Sequence, residues 1–314
     1  GVGPDREETV ELTNPFEQQS GRRRRLGRQT PKPFSVTRRP STRMSRPSTG
    51  PADPAPDPPD TLVERVASHL PRLLPLALVP LVTALFRARE LLATGRADGL
   101  SLRASFPVYR YDLWSFVDAP RGGGVTVSLP FDAVDPLPFL VPLLGAYVVV
   151  SGVLSAGYFG SIADGIETGR YDFVAAVRRF AVRMILLEAL VVAAFAAVFL
   201  PLVVVPPLFV VAIVAALVLS YLYFPTVYVL ALEDRGIASA ARRARGLVDD
   251  HRPLGFFLAV AVVTAVCSVP LSILAHAGPA EAVAAAVVAA PLGLAFNLAT
   301  ALKVAEMAGV ETVE

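Results

Sequence analysis

The chain has 314 residues, of which 54% are hydrophobic and 18% charged, with a formal net charge of +2 and one cysteine. So much apolar sequence exceeds the interior of a soluble domain of this length and falls into blocks of membrane-spanning size, which excludes a soluble globular class. A single cysteine, Cys267, excludes an intrachain disulfide framework or a thiolate metal cluster, and no metal or cofactor is expected.

Residues 1–60 lack hydrophobic periodicity and are rich in Pro, Ser, Thr and Arg, so they read as a disordered basic tail. From Arg22 to Arg46 the tail carries basic residues without one acid. A solvated tail marking the cytoplasmic side is the first reading, contact with anionic lipid headgroups the second, and no nucleic-acid partner is expected.

The first span is Leu70 to Phe86, inside a helix that starts near Thr61 as N-cap with Glu64 three residues on. Pro71, Pro75 and Pro80 predict a kink, since neighbouring helices satisfy the carbonyls that proline frees. Arg87 and Arg89 follow immediately. The insertion 95–135 is read as a small extracytoplasmic β-hairpin, with Val125, Val127 and Leu129 alternating after Gly122 to Gly124 and Leu100 to Tyr111 as partner. Its aromatics Phe106, Tyr109, Tyr111, Trp114, Phe116 and Phe131 are expected at headgroup level.

The second span covers about 136–158, with Gly152, Ala156 and Gly160 forming a small-residue seam for close helix approach. Phe159, Ile162 and Ile166 then share one face of a short amphipathic connector, Gly169 ends it, and Asp172 caps the next helix. The third span, 181–200, carries Arg178, Arg179 and Arg183 at its start and an intramembrane Glu188, which reads as a buried structural pair before an ion or proton site. The fourth span, 209–232, holds Tyr223 and a kinking Pro225. A second amphipathic connector follows: Ile237, Ala241, Ala244 and Val248 on one face, Arg242, Arg243 and Arg245 on the other, reaching lipid headgroups together with Arg178 and Arg179. The fifth span, 254–274, contains Thr264. The sixth, 282–304, places Ala285, Ala289, Gly293, Asn297 and Ala301 on one seam, and residues 309–314 form a short tail.

Arginine-rich connectors at 159–183 and 233–253 alternate with turns near 201–206 and 275–281 that have no Lys or Arg. Basic residues collect on the cytoplasmic side, so the expected protein is all-α and polytopic, with six transmembrane helices in the cell membrane and both termini cytoplasmic.

The stretch LEDRGIASAARRARGLVDDHRPLGFFLAV, following YFPTVYVLA, resembles the six-helix membrane domain associated with glycerophosphoryl diester phosphodiesterases and related archaeal integral membrane proteins. Glu233, Asp234, Gly236, the helix Ala238 to Arg245 and the apolar return after His251 carry the resemblance, which extends over 61–308. A serine and an aromatic frequent in that helix are arginine and alanine here. The resemblance implies a membrane fold and location without a chemistry to transfer. The soluble phosphodiesterase domain needs histidines and metal-binding carboxylates, and this chain has three histidines, His69, His251 and His276, all near span boundaries. The expected function is therefore a non-catalytic membrane scaffold or accessory subunit contacting lipid or a protein partner. The alternative is a small transporter with a polar pathway at Glu188, Tyr223, Thr264 and Asn297.

Overall fold

The computed structural model describes residues 61–96, 103–107, 110–118, 137–204 and 208–313. The basic tail 1–60 and the glycine-flanked half of the expected hairpin lie outside the described residues. Among the described residues every regular element is helical, and six helical spans are long and apolar enough to cross a membrane: Leu62–Leu85, Val141–Thr168, Phe173–Ala197, Val210–Leu232, Leu254–His276 and Pro279–Ala308. The chain is a multi-pass membrane protein.

Helix α1 (Leu62–Leu73) opens on the expected capping box, with Glu64 N–H donating to the Thr61 hydroxyl and Thr61 N–H donating to the Glu64 carboxylate. Pro75 then tightens the chain into a 3-10 turn, Leu74–Ala77, before α2 (Leu78–Leu85) continues the span. This is the kink that the prolines predict. A short α3 (Ala88–Thr94) follows.

Helix α4 (Leu137–Thr168) runs without interruption through the stretch read from sequence as a separate connector. Phe159, Ile162 and Ile166 are its buried last turns, because they pack into the core and leave no free apolar face for a membrane surface. Helix α5 (Phe173–Val204) begins where predicted, with Asp172 accepting from the N–H groups of Val174 and Ala175 at 2.9 and 3.0 Å. The two helices pack through the small-residue seam. A Cβ on Gly152 would lie 2.6 Å from the Ile185 Cα, and one on Gly160 2.8 Å from the Ala176 Cβ, so only glycine permits this approach.

Helix α6 (Leu208–Tyr223) and α7 (Thr226–Leu232) are separated at Phe224 and Pro225. Then come α8 (Ile237–His251), α9 (Leu254–His276) and α10 (Pro279–Ala308). Helix α8 buries Ala240, Ala244, Leu247 and Val248, one position off the predicted Ala241 face, and packs against α7. Helix α10 touches α1, α2, α3, α4, α7, α8 and α9 and forms the axis of the bundle. Its seam of Ala285, Ala289, Gly293, Asn297 and Ala301 is buried throughout. By contrast Leu186, Leu190, Phe195, Val210, Val214, Val218, Val262, Val266 and Ile273 are exposed, an outward apolar surface suited to acyl chains. Residues 61, 169–172, 233–253 and 309–313 share one end of the bundle, here the connector end; the turn 277–278 and the insertion after α3 lie at the other.

Candidate functional site

The insertion after α3 is where structure and expectation part. Residues 103–107 and 110–118 form no strand; they pack into the bundle. Tyr111, Leu113, Phe116 and Val117 are essentially inaccessible and pack with Leu91, Val260, Ala285, Ala289 and Phe296. Phe106 stacks on Phe257 with centroids 4.8 Å apart. Tyr109 and Phe131 lie outside the described residues. A strand would satisfy its backbone against a partner strand; here the hydroxyls of α9 do so. Ser105 N–H donates to the Thr264 hydroxyl at 2.9 Å, and that hydroxyl lies 2.9 Å from the Ser105 carbonyl as donor in return. Arg103 N–H donates to Ser268 Oγ at 2.8 Å.

A 3-10 turn, Leu113–Ser115, is capped by Asp112, which accepts from Trp114 N–H at 3.0 Å. Burial pushes the Asp112 carboxyl up, and Arg110, the Trp114 N–H, Arg87 and Arg103 each pull it back. The Arg87 guanidinium lies 4.5 Å over the Trp114 ring and also pairs with Glu90. This segment acts as a plug.

Its deepest polar reach is Arg110. The guanidinium donates to Ser155 Oγ at 3.1 Å and Ser151 Oγ at 3.4 Å, and Ser151 in turn donates to Glu188 Oε1 at 2.7 Å. Ser151 and Ser155 lie one turn apart on α4, and Glu188 faces them from α5. The buried carboxylate is thus joined to an arginine of the plug through a hydroxyl, which offsets the cost of holding charge in a low dielectric.

A second cluster surrounds Asn297. Tyr228 O–H donates to Asn297 Oδ1 at 2.9 Å; Asn297 Nδ2 donates to the Tyr158 hydroxyl at 3.1 Å and to the Gly293 carbonyl at 3.0 Å. Helices α4, α7 and α10 are tied together at this point. Of the four residues expected to line one polar pathway, Glu188, Thr264 and Asn297 are buried, but each bonds to a different partner set. Tyr223 is 37% exposed on the outside of α6. The turn at Phe224 and Pro225 separates the two helices, and Tyr228, not Tyr223, reaches Asn297. Tyr158 had a readable signal: it continues the polar stripe of Ser151 and Ser155 at helical spacing. Arg110 had none, because nothing in a loop sequence says that it folds inward.

At the connector end, the arginines expected at headgroups divide. Arg179 donates to Asp234 Oδ2 at 3.0 Å, and Arg183 pairs with the other carboxylate oxygen. Glu233 pairs with Arg235 and Arg243, and Arg245 lies 3.8 Å from Asp249. Arg178 and Arg242 are exposed and form no ion pair among the described residues. Asp234 holds a left-handed backbone, φ 49°, at the turn into α8, and so clamps that turn to α5. Slight desolvation pushes its carboxyl up, but the hydrogen bonds and charges of Arg183 and Arg179 outweigh this and hold it below the usual range. With the folded value below the unfolded one, the clamp is complete at neutral pH and is lost as pH falls through the carboxylate range. Asp234→Asn, which tolerates the left-handed backbone, should remove this acid dependence. Thermal unfolding followed from about pH 6 to about pH 3 checks it, a parallel acid slope in both proteins being the contrary result.

Among the described residues no three His, Cys, Asp or Glu side chains converge as a metal site. The arrangement is one of mutual satisfaction between hydroxyls, one amide, one carboxylate and one guanidinium. Comparison with protein-family models, with curated proteins and with solved structures finds no match.

Proposed function

We propose that the chain is a non-catalytic membrane scaffold or accessory subunit that contacts lipid or a protein partner. The observation that carries this reading is the plug. Residues 103–107 and 110–118 enter the bundle from the end opposite the connectors, where Ser105 engages Thr264 and Arg110 reaches Glu188 through Ser151. The small-residue seams support the same reading, since they build a rigid body without assembling reactive groups. The transporter alternative rests on Glu188, which lies within a span but is held by Ser151.

In this proposal the connector end is cytoplasmic, because Arg170, Arg178, Arg179, Arg183, Arg235, Arg242, Arg243, Arg245 and Arg252 gather there. Helix α8 is the amphipathic element at that surface, as the resemblance of residues 223–260 to a six-helix membrane domain implies. Arg178 and Arg242, outside the ion pairs, are the residues that reach anionic headgroups. Purification from native membranes in mild detergent, followed by mass spectrometry of everything retained, tests this. A stoichiometric protein or anionic lipid is expected, reduced by charge reversal at Arg178 and Arg242. A chain that retains neither, but holds a small solute lost on Glu188→Gln, overturns it in favour of transport.

A further inference from the structure

The hydrogen bonds around Glu188 leave a definite set of groups unspent. Ser151 gives its one hydroxyl hydrogen to Glu188 Oε1 at 2.7 Å, while Glu188 Oε2 receives no hydrogen bond among the described residues. This carboxylate is 7% exposed and lies inside a membrane-spanning helix. Arg110 gives N–H groups to two hydroxyls, Ser155 at 3.1 Å and Ser151 at 3.4 Å, and its remaining donors reach no acceptor among the described residues. Ser155 and Tyr158, both fully buried, follow one another by a turn on the same face of α4. Each hydroxyl accepts, Ser155 from Arg110 and Tyr158 from Asn297 Nδ2, and neither passes its own hydrogen to an acceptor among the described residues. Unspent donors thus lie on the Arg110 side of Ser151 and an unspent acceptor on the Glu188 side. Buried polar groups in this state are served by water or by a ligand.

The charges select the ligand. Arg110 Nη2 is 3.4 Å from Ser151 Oγ, which is 2.7 Å from Glu188 Oε1, so guanidinium and carboxylate stand no more than about 6 Å apart and form no direct ion pair. A lone anion at Arg110 would face the Glu188 charge across Ser151, and a lone cation at Glu188 would face Arg110. In a low dielectric either repulsion is costly. A zwitterion satisfies both groups at once. An α-amino acid holds its two charges on adjacent carbons, too close together to serve both sides, and a quaternary ammonium has no hydrogen to donate.

We infer that Arg110, Ser155, Tyr158 and Glu188 form a binding site for a zwitterion whose primary ammonium and phosphate ester are joined through two carbons, the chemistry of an ethanolamine phospholipid headgroup. The phosphate oxygens accept from Arg110, Ser155 and Tyr158, and the ammonium donates to Glu188 Oε2, with charge assistance on both sides. The α4 face that carries Ser151 continues one turn away from the connectors to Tyr147, which is 50% exposed, with Leu143, Leu144 and Val150 exposed around it. Acyl chains find an apolar surface there, next to a small set of convergent polar groups. The site is separate from the Arg178 and Arg242 surface. The inference therefore goes beyond the scaffold reading, and the same headgroup without chains would be the solute of a transporter.

Native mass spectrometry of the full chain in mild detergent, titrated with phosphatidylethanolamine or with free phosphoethanolamine, tests this. Because Arg110→Ala also loosens the plug, Glu188→Gln and Tyr158→Phe carry the test. One bound molecule per chain is expected, with affinity weakened by about tenfold or more in Glu188→Gln and severalfold in Tyr158→Phe. Phosphatidylglycerol and phosphatidylcholine should not displace it, and charge reversal at Arg178 and Arg242 should leave it unchanged. Binding of the phospholipid alone assigns the site to a membrane lipid; equal binding of free phosphoethanolamine assigns it to a soluble zwitterion. No saturable binding of either probe, an affinity unchanged in Glu188→Gln or in Tyr158→Phe, or displacement by phosphatidylglycerol overturns the inference. None of these failures touches the capture of anionic lipid at Arg178 and Arg242, so the two readings fail separately.

Discussion

Replacing Arg110 with alanine is expected to lower stability by about 2 kcal/mol and to loosen the plug from the bundle. Breaking a fully buried ion pair by removing one partner costs about 3–5 kcal/mol. Arg110 is only partly buried and reaches Glu188 through Ser151, so the lower figure applies. It still exceeds the average interhelical hydrogen bond in a membrane, about 0.6 kcal/mol. The loss comes from Glu188, whose charge then lies buried with only a hydroxyl donor. Glu188→Gln should for that reason cost less in the Arg110→Ala background than in the wild type, and the double-mutant cycle measures the coupling. Trp114 is the single tryptophan and is buried within the plug, so its emission reports the segment directly. A red shift in Arg110→Ala at temperatures where the helices remain intact is the expected result. Unchanged emission and an unchanged unfolding midpoint would show that Arg110 does not hold the plug.

Gly293→Ala should be similarly damaging although it adds one methyl group. A Cβ at this position would lie 2.5 Å from the Tyr111 carbonyl oxygen and 3.1 Å from its carbonyl carbon. Both atoms are backbone of the plug facing the backbone of the central helix, so neither side has a rotamer with which to yield. Overpacking of this kind costs about 1–3 kcal/mol. The plug is the softer of the two partners, and Trp114 emission should shift here as well. Gly246→Ala is the control: it also lies in a helix interior, but nothing stands within 4 Å of its Cβ position. It should be neutral or stabilising by up to about 1 kcal/mol. Equal effects at the two glycines would mean that helix propensity, not the approach of Tyr111, decides the outcome.

Local chemistry was legible wherever a residue acts on its own neighbours. The capping box of Thr61 and Glu64, the Asp172 cap, the proline-tightened first span and the buried seam of α10 all follow from side chains within a few positions of one another. Burial of Glu188 was legible too, because a carboxylate in an apolar span must find partners. Its partners were not. Helix rotation separates Tyr223 from Tyr228 at the Pro225 turn, and one sequence carries no measure of that angle. Likewise the alternation and aromatics of the insertion suggested a hairpin at the membrane surface, whereas burial of Tyr111, Phe116 and Val117 against α10 outweighs local strand preference in its described part.

The amino-acid sequence by itself determined the class and the spans, because blocks of about twenty apolar residues have few stable states outside a bilayer. Tertiary structure alone decided the inward path of residues 103–107 and 110–118, the choice of Arg110 for Glu188, and the return of residues 310–313 to His69. Each of these joins residues far apart in the chain, and the energy that selects them lies in shape and hydrogen-bond geometry between helices. No residue carries that information until the bundle has formed.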